Sequence, residues 1–171
     1  MRSSVIVASS VLGTLAAGAL AAAGFVGSGL YNIGADDHHT KPVFALIQQL
    51  RQRSIDVRSR ELIVPELEDA GSIQAGAMSY ASHCTVCHLG PGLGKSELRT
   101  GMYPHPPNLS QEGIDDPRAA FWIIKHGIKM SAMPSWSKTL DDAAIWDVVA
   151  FLRKVPQMTP EDYQQLAGKP R

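Results

Sequence analysis

The sequence predicts an all-α protein, and three observations support that prediction. An apolar stripe at helical spacing follows Asp141, and aspartate often caps the N-terminus of a helix. A second apolar segment begins at Asp116-Pro117, where proline would occupy the favoured first helical position. A third begins at Ser72, a good N-cap residue, and continues through Tyr80. We therefore expect these helices to pack around a shared core.

The length and composition of the chain are those of a folded protein with extensions. Its 171 residues are 44% hydrophobic and 19% charged, so a hydrophobic core is feasible. The formal net charge is +0, which argues against a general nucleic-acid-binding protein. Electrostatic attraction to a partner must therefore come from local patches.

The segment Cys84-Thr85-Val86-Cys87-His88 has the spacing of a c-type haem attachment site. In such a site each cysteine adds to a haem vinyl group, and the histidine binds the iron. A zinc site would need two further ligands, but the chain has only two cysteines. A thioredoxin-like pair would follow a strand, whereas the residues before Cys84 have a helical pattern. The spacing therefore predicts one covalently attached haem c.

Two methionines compete for the second axial position on the iron. Met130 lies close to Gly127, where we expect the preceding helix to end. Met133 precedes Pro134, which disfavours the helical conformation of the preceding residue, so the thioether can project from an extended loop. We therefore predict Met133 as the ligand. Methionine ligation favours an electron carrier, whereas an open position would favour a haem enzyme or a gas sensor.

These motifs and the helical segment after Asp141 make residues 72–156 resemble class I cytochrome c. The resemblance implies a fold of three to five helices around one haem c. It implies that His88 and Met133 are the axial ligands and that the function is single-electron transfer. It further implies that the first and last helices of the domain cross at Gly76, next to Phe151.

The resemblance also indicates which residues surround the haem. In class I cytochromes c, a proline carbonyl accepts the proton of the haem-binding imidazole and a leucine packs on the ring. Pro107 and Leu109 match these two positions. Arg99 and Tyr103 are candidates to bind the haem propionates. A surface salt bridge for Arg99 and ordinary packing for the Tyr103 ring are equally compatible with the sequence.

Residues 3–35 carry no charge, and this run is long enough for one helix to cross a membrane. A signal peptide cleaved near Ala21 or Ala23 is one explanation. We expect an uncleaved anchor, because the apolar character continues through Ile33, beyond the usual length of a signal-peptide core. Arg2 before the run and acidic residues after it favour a cytoplasmic N-terminus. The resemblance places the haem domain on the periplasmic side of a bacterial inner membrane.

Residues 36–60 contain three further patterns. The carboxylates and imidazoles at 36–39 could bind a metal, but neighbours on an extended chain point to opposite sides, so we expect a solvated loop. Residues 43–50 have the apolar spacing of an amphipathic helix. That helix could lie on a membrane, on a partner subunit or on the haem domain, and we favour packing on protein. Residues 51–60 are expected to form a polar linker or a headgroup contact.

These patterns divide the chain into four parts. We predict a membrane anchor at 1–35, an amphipathic helix and linker at 36–70, a haem domain at 71–156 and a short tail at 157–171. The predicted function is single-electron transfer in a bacterial periplasmic or membrane respiratory chain, with redox proteins as partners and no bond-making chemistry by this chain. The alternative is a fixed cytochrome subunit of a membrane oxidase or dehydrogenase complex, which the extra residues 36–69 favour.

Overall fold

A computed structural model of the protein describes residues 2–94 and 96–168, and all regular elements in these two ranges are helical. The all-α prediction is therefore confirmed. In chain order the elements are α1 (Arg2–Ser28), α2 (Lys41–Ser59), α3 (Ala70–His83), α4 (Thr85–His88), α5 (Glu97–Thr100), α6 (Leu109–Glu112), α7 (Pro117–His126), α8 (Asp142–Leu152), a 3-10 turn (Val155–Gln157) and α9 (Pro160–Ala167). Met1, in the predicted anchor, and residues 169–171, in the predicted tail, lie outside the described ranges.

The chain forms two compact units, 1–37 and 38–171. The first contains α1, in which the 24 residues Val5–Ser28 have a mean hydropathy of 2.0 and are all exposed. At 1.5 Å per residue this stretch is about 36 Å long, enough to cross a hydrocarbon core. The hydroxyl groups of Ser9, Ser10 and Thr14 donate to carbonyls four residues earlier, so they need no water. Both a membrane span and a signal sequence have these properties.

The second unit is built around the crossing of α3 and α8. A Cβ atom on Gly76 would clash with the carbonyl of Asp147 and lie 3.0 Å from the Cβ of Phe151, so only glycine allows the two backbones to approach this closely. One turn later the Tyr80 and Phe151 rings pack with their centroids 5.1 Å apart. Tyr80, Val148 and Phe151 are almost completely buried. The crossing predicted at Gly76 is therefore present.

Helix caps explain where three of these helices begin. Asp116 and Asp141 accept backbone N–H bonds at the starts of α7 and α8, as predicted. The prediction that Ser72 caps α3 is wrong. The Asp69 side chain accepts the N–H of Ser72 at 2.8 Å, so α3 begins at Ala70. Aspartate and serine are comparable N-cap residues, and Asp69 is the one that lies directly before the first helical residue.

Helix α2 is longer than the sequence pattern predicted. It continues through Ser59, so most of the segment predicted as a linker is helical. Ile55 and Ser59 are buried on the side of α2 that packs against α7. The Arg118 guanidinium of α7 donates to the carbonyl of Arg60 at 3.3 Å and closes this contact. Packing on α7 gives this charged stretch the stability that its own composition lacks.

The C-terminal helix α9 packs on the other helices of the second unit. Thr159 and Asp162 form a reciprocal capping box that starts α9. Tyr163 in α9 is buried, and its ring centroid lies 6.0 Å from that of Phe151. Thr159-Pro160 starts a helix as predicted, and this eight-residue helix packs against α3.

Candidate haem-binding site

The two cysteines and the histidine lie on a single helical turn that continues from α3. The Cys84 N–H donates to the carbonyl of Tyr80 at 2.9 Å, and the His88 N–H donates to the carbonyl of Cys84 at 2.8 Å. The turn ends at Leu89, which has a φ of 61°. The buried Tyr80 hydroxyl donates to the Leu89 carbonyl at 2.7 Å and ties the end of the turn to the α3–α8 core. The motif is therefore held by a core side chain.

His88 is oriented by a residue 19 positions away. Its Nδ1 atom lies 3.0 Å from the carbonyl oxygen of Pro107. A carbonyl can only accept, so Nδ1 carries the proton and Nε2 is the nitrogen with a lone pair for a metal. Burial lowers the pKa of His88. The hydrogen bond to the Pro107 carbonyl raises this pKa, and the nearby Arg99 guanidinium lowers it. The site therefore favours the neutral imidazole.

The Cys84 thiol differs from that of a reactive redox pair. Burial raises the pKa of Cys84 to about 12, with a smaller contribution from Cys87. Reactive Cys-x-x-Cys motifs show the opposite shift, because their thiolates are stabilised. In the part of the chain that the structure describes, no group of three His, Cys, Asp or Glu residues could hold a metal ion. The raised pKa of Cys84 disfavours the thioredoxin interpretation, and the residues at 36–39 belong to no such group.

The two competing methionines have different surroundings. Met133 is partly buried and packs against the core. Its backbone N–H donates to the Ser131 hydroxyl at 3.2 Å, and its carbonyl accepts the Ile128 N–H at 3.1 Å. Met130 is fully exposed and has a φ of 58°. A haem pocket excludes water, so the surroundings of Met133 suit an iron ligand and those of Met130 do not.

Gly127 positions the methionine loop, a role that we did not predict. The sequence indicated Gly127 only as a helix end, and it does follow α7 with a φ of 67°. A Cβ atom there would also lie 2.7 Å from the Met133 carbonyl oxygen and 2.6 Å from the Pro134 carbonyl carbon. The loop is joined to α7 again where the Trp136 N–H donates to the Ile124 carbonyl at 3.1 Å. Only the close approach of two backbones reveals this second role.

The residues predicted to surround the haem have separate contacts. Arg99 donates from Nη2 to the Pro106 carbonyl at 2.8 Å, one residue before the carbonyl that His88 contacts. Its Nε atom is buried without a hydrogen-bond partner. Tyr103 stacks on His38, with ring centroids 4.3 Å apart. Leu109 begins α6 and packs against the core.

These residues fit a covalently bound haem. Two thiols precede an imidazole whose Nε2 is available to bind iron. Cys84, Leu109 and Met133 all contact one core cluster. The unpartnered Nε of Arg99 is a buried donor that needs an acceptor, and a propionate carboxylate would supply one.

Comparison with known families decides which protein class this donor set belongs to. Residues 71–152 match the family described as cytochrome C oxidase, cbb3-type, subunit III. These residues form a class I c-type cytochrome domain. The match covers the α3–α8 crossing, the Cys84–His88 turn and the methionine loop. The cytochrome c domain binds haem c covalently and functions in electron transfer, in which the haem iron alternates between its ferric and ferrous states.

The curated relatives of this chain have different descriptions. The chain is 28% identical over 97 residues to the cytochrome c subunit of a quinone alcohol dehydrogenase from Gluconobacter oxydans, covering 52% of this chain and 20% of that protein. It is 33% identical over 100 residues to a dihydro-heme d1 dehydrogenase from Pseudomonas aeruginosa, covering 58% and 19%. It is 29% identical over 77 residues to cytochrome c6 from Parathermosynechococcus lividus, covering 45% and 83%.

The chain therefore spans about a fifth of the length of the first two relatives and most of cytochrome c6. No solved structure matches it.

Proposed function

We propose that this chain is a membrane-anchored monohaem cytochrome that transfers single electrons on the periplasmic side of a bacterial inner membrane. In this proposal Cys84 and Cys87 form the thioether bonds, and His88 and Met133 bind the iron. The bond between His88 Nδ1 and the Pro107 carbonyl is the observation that carries the proposal, since it directs Nε2 towards metal binding.

The surrounding residues have distinct roles in the proposed site. Pro107 orients the imidazole through its carbonyl, and Leu109 covers the porphyrin with an apolar side chain. Arg99 supplies a buried cationic donor to a propionate, while its Nη2 holds the loop that contains the Pro107 carbonyl. Tyr103, already stacked on His38, borders the propionates. Together they hold the haem and keep water from the iron.

A titration of the purified holoprotein tests this function. We expect one redox centre that titrates with a one-electron slope and a reduced form that does not bind carbon monoxide. Rapid carbon monoxide binding by the native reduced protein would indicate an open iron position, and with it a haem enzyme or a gas sensor. A two-electron slope would contradict a single haem carrier.

A fixed subunit of a larger complex is the second candidate function. Two observations favour it: one relative is described as a cytochrome c subunit of a dehydrogenase, and residues 36–70 add a helix to the cytochrome domain. Purification from native membranes in mild detergent separates the two candidates. A fixed subunit would migrate at constant stoichiometry with other chains through two chromatographic steps, whereas a carrier would separate from them.

A further inference from the structure

Helix α2 is buried on one side and exposes apolar side chains on another. Ile55 and Ser59 are 3% and 2% exposed and pack towards α7. Leu46 and Leu50 are 68% and 70% exposed. With 3.6 residues per turn, Leu50 lies about 140° around the helix from Ile55. The same helix therefore binds its own protein with one side and presents leucines to the surroundings with another.

The exposed apolar residues form a stripe along α2, which the polar residues Arg53 and Ser54 interrupt before Val57. We define this outer stripe as the apolar side chains that follow one another at helical spacing on the side away from α7. Its members are Val43, Leu46, Ile47, Leu50 and Val57. All except the half-buried Val43 are more than two-fifths exposed. An apolar stripe of this length on a surface helix indicates a binding surface.

Cationic side chains border the outer stripe on both sides. Arg53 lies about 60° from Leu50 on one side, and Arg58 lies about 20° from Ile47 on the other. The one acidic residue of α2, Asp56, is about 120° from the centre of the stripe, and it accepts a hydrogen bond from Gln52. Apolar residues flanked by arginines, with the acid turned away, are the arrangement of a helix that lies in a lipid headgroup layer.

The position of α2 in the chain supports the same environment. The membrane-length helix α1 ends at Ser28, and α2 begins at Lys41. The 12 residues between them can extend over no more than about 40 Å. If α1 spans the membrane, its tether keeps α2 within reach of the headgroups. A partner protein would need no such tether and no cationic border.

We propose that the outer stripe of α2 lies in the bilayer interface, with Leu46 and Leu50 below the phosphates and Arg53 and Arg58 at their level. Because α2 packs on α7 through its other face, this contact holds the cytochrome domain against the membrane surface in one orientation. The inference rests on the anchor in the proposed function. It assigns the outer stripe to phospholipid, and not to a second copy or another subunit.

Nitroxide labels on the full-length holoprotein test this assignment. The protein is reconstituted in vesicles of phosphatidylethanolamine and phosphatidylglycerol, with a single label introduced through Leu50→Cys. The matched control is Ala45→Cys, because Ala45 is an exposed residue of the same helix about 140° from Leu50. Collisions with oxygen, which dissolves in lipid, are compared with collisions with a water-soluble nickel complex.

We expect the label at 50 to collide more with oxygen than with nickel, and the label at 45 to show the reverse. Equal access of nickel to both labels would overturn the proposal, since α2 would then lie in water. Shielding of the label at 50 from both reagents would also overturn it, since protein would then cover the stripe. Flotation of the same vesicles tests the anchor, and the redox titration tests the haem. Failure of the anchor or of the haem assignment can therefore be distinguished from failure of the α2 assignment.

Discussion

The hydrogen bond between His88 and the Pro107 carbonyl sets the chemistry of the site at the scale of single residues. It places the proton on Nδ1, and burial lowers the pKa of the ring, so the neutral imidazole with a lone pair on Nε2 is favoured. Met133, which we propose as the second donor, is partly buried against the core. Each of these two side chains is positioned by neighbouring residues that do not themselves bind the iron.

Methionine replacement tests the proposed iron ligand. We expect Met133→Ala to open the sixth position, lower the reduction potential and admit carbon monoxide, because a thioether favours ferrous iron. Met130→Ala is the matched control, since Met130 is fully exposed. The iron of this variant should remain low-spin with an unchanged reduction potential. The measurement is the weak sulfur-to-iron charge-transfer band of the oxidised protein. Survival of that band in Met133→Ala, with loss in Met130→Ala, would reverse the assignment.

The Tyr80 hydroxyl supports the haem motif from the core. Tyr80→Phe leaves the buried Leu89 carbonyl without its 2.7 Å donor, so we expect a loss of about 1–3 kcal/mol in the free energy of unfolding. Guanidinium unfolding of the holoprotein measures this loss. Ser82→Ala removes an exposed hydroxyl from the same helix and should change stability by less than about 0.5 kcal/mol. Equal effects of the two variants would show that the Tyr80 bond contributes little.

At the scale of elements, contacts between helices determine the haem-bearing unit. Helices α3 and α8 cross at Gly76, and α7 packs on both α8 and α2. The methionine loop follows α7 and is bonded back to its last turn. A change at one crossing will therefore affect the loops that hold the haem.

The crossing at Gly76 is the most sensitive of these contacts. Gly76→Ala puts a methyl group against the Asp147 carbonyl, which belongs to backbone and cannot rotate away, so we expect destabilisation of about 3 kcal/mol or more. Thermal unfolding followed at the haem absorbance measures it. Gly94→Ala is the control, because a Cβ at Gly94 meets no atom within 4 Å. A Gly76→Ala protein as stable as Gly94→Ala would mean that the helices can separate at no cost.

At the scale of the whole molecule, the proposed anchor and the cytochrome domain differ in the surfaces that they expose. Residues 5–28 suit hydrocarbon, whereas the second unit buries its own core. The divisions at 35, 70 and 156 remain our proposal. Helix α9, in the proposed tail, packs Tyr163 on Phe151, so removal of the tail should expose core.

N-terminal sequencing of protein isolated from membranes tests the anchor. We expect Met1 or Arg2, because the uncharged run continues past each cleavage site that we considered. The protein should remain in the membrane fraction after a high-salt wash, which removes electrostatically bound proteins. A mature terminus near Ala22 or Gly24, with haem protein in the soluble fraction, would establish a signal peptide.

The features that the sequence alone determined are local ones. The spacing from Cys84 to His88, the aspartate caps of α7 and α8, and the uncharged run of α1 each depend on residues within a few turns of one another. Residues three or four positions apart lie on the same face of a helix, so short-range spacing in the sequence directly predicts which side chains are neighbours. The donor types and the all-α fold were therefore predictable.

The tertiary structure decided which of several equivalent residues is used. Asp69 and not Ser72 caps α3, Met130 is left in solvent, and Gly127 contacts the Met133 backbone. It also extended α2 and separated its buried face from the outer stripe. These outcomes depend on contacts between segments far apart in sequence, such as the 19 residues between His88 and Pro107. Local propensity carries no information about such contacts, because packing free energies exceed the small differences between local alternatives.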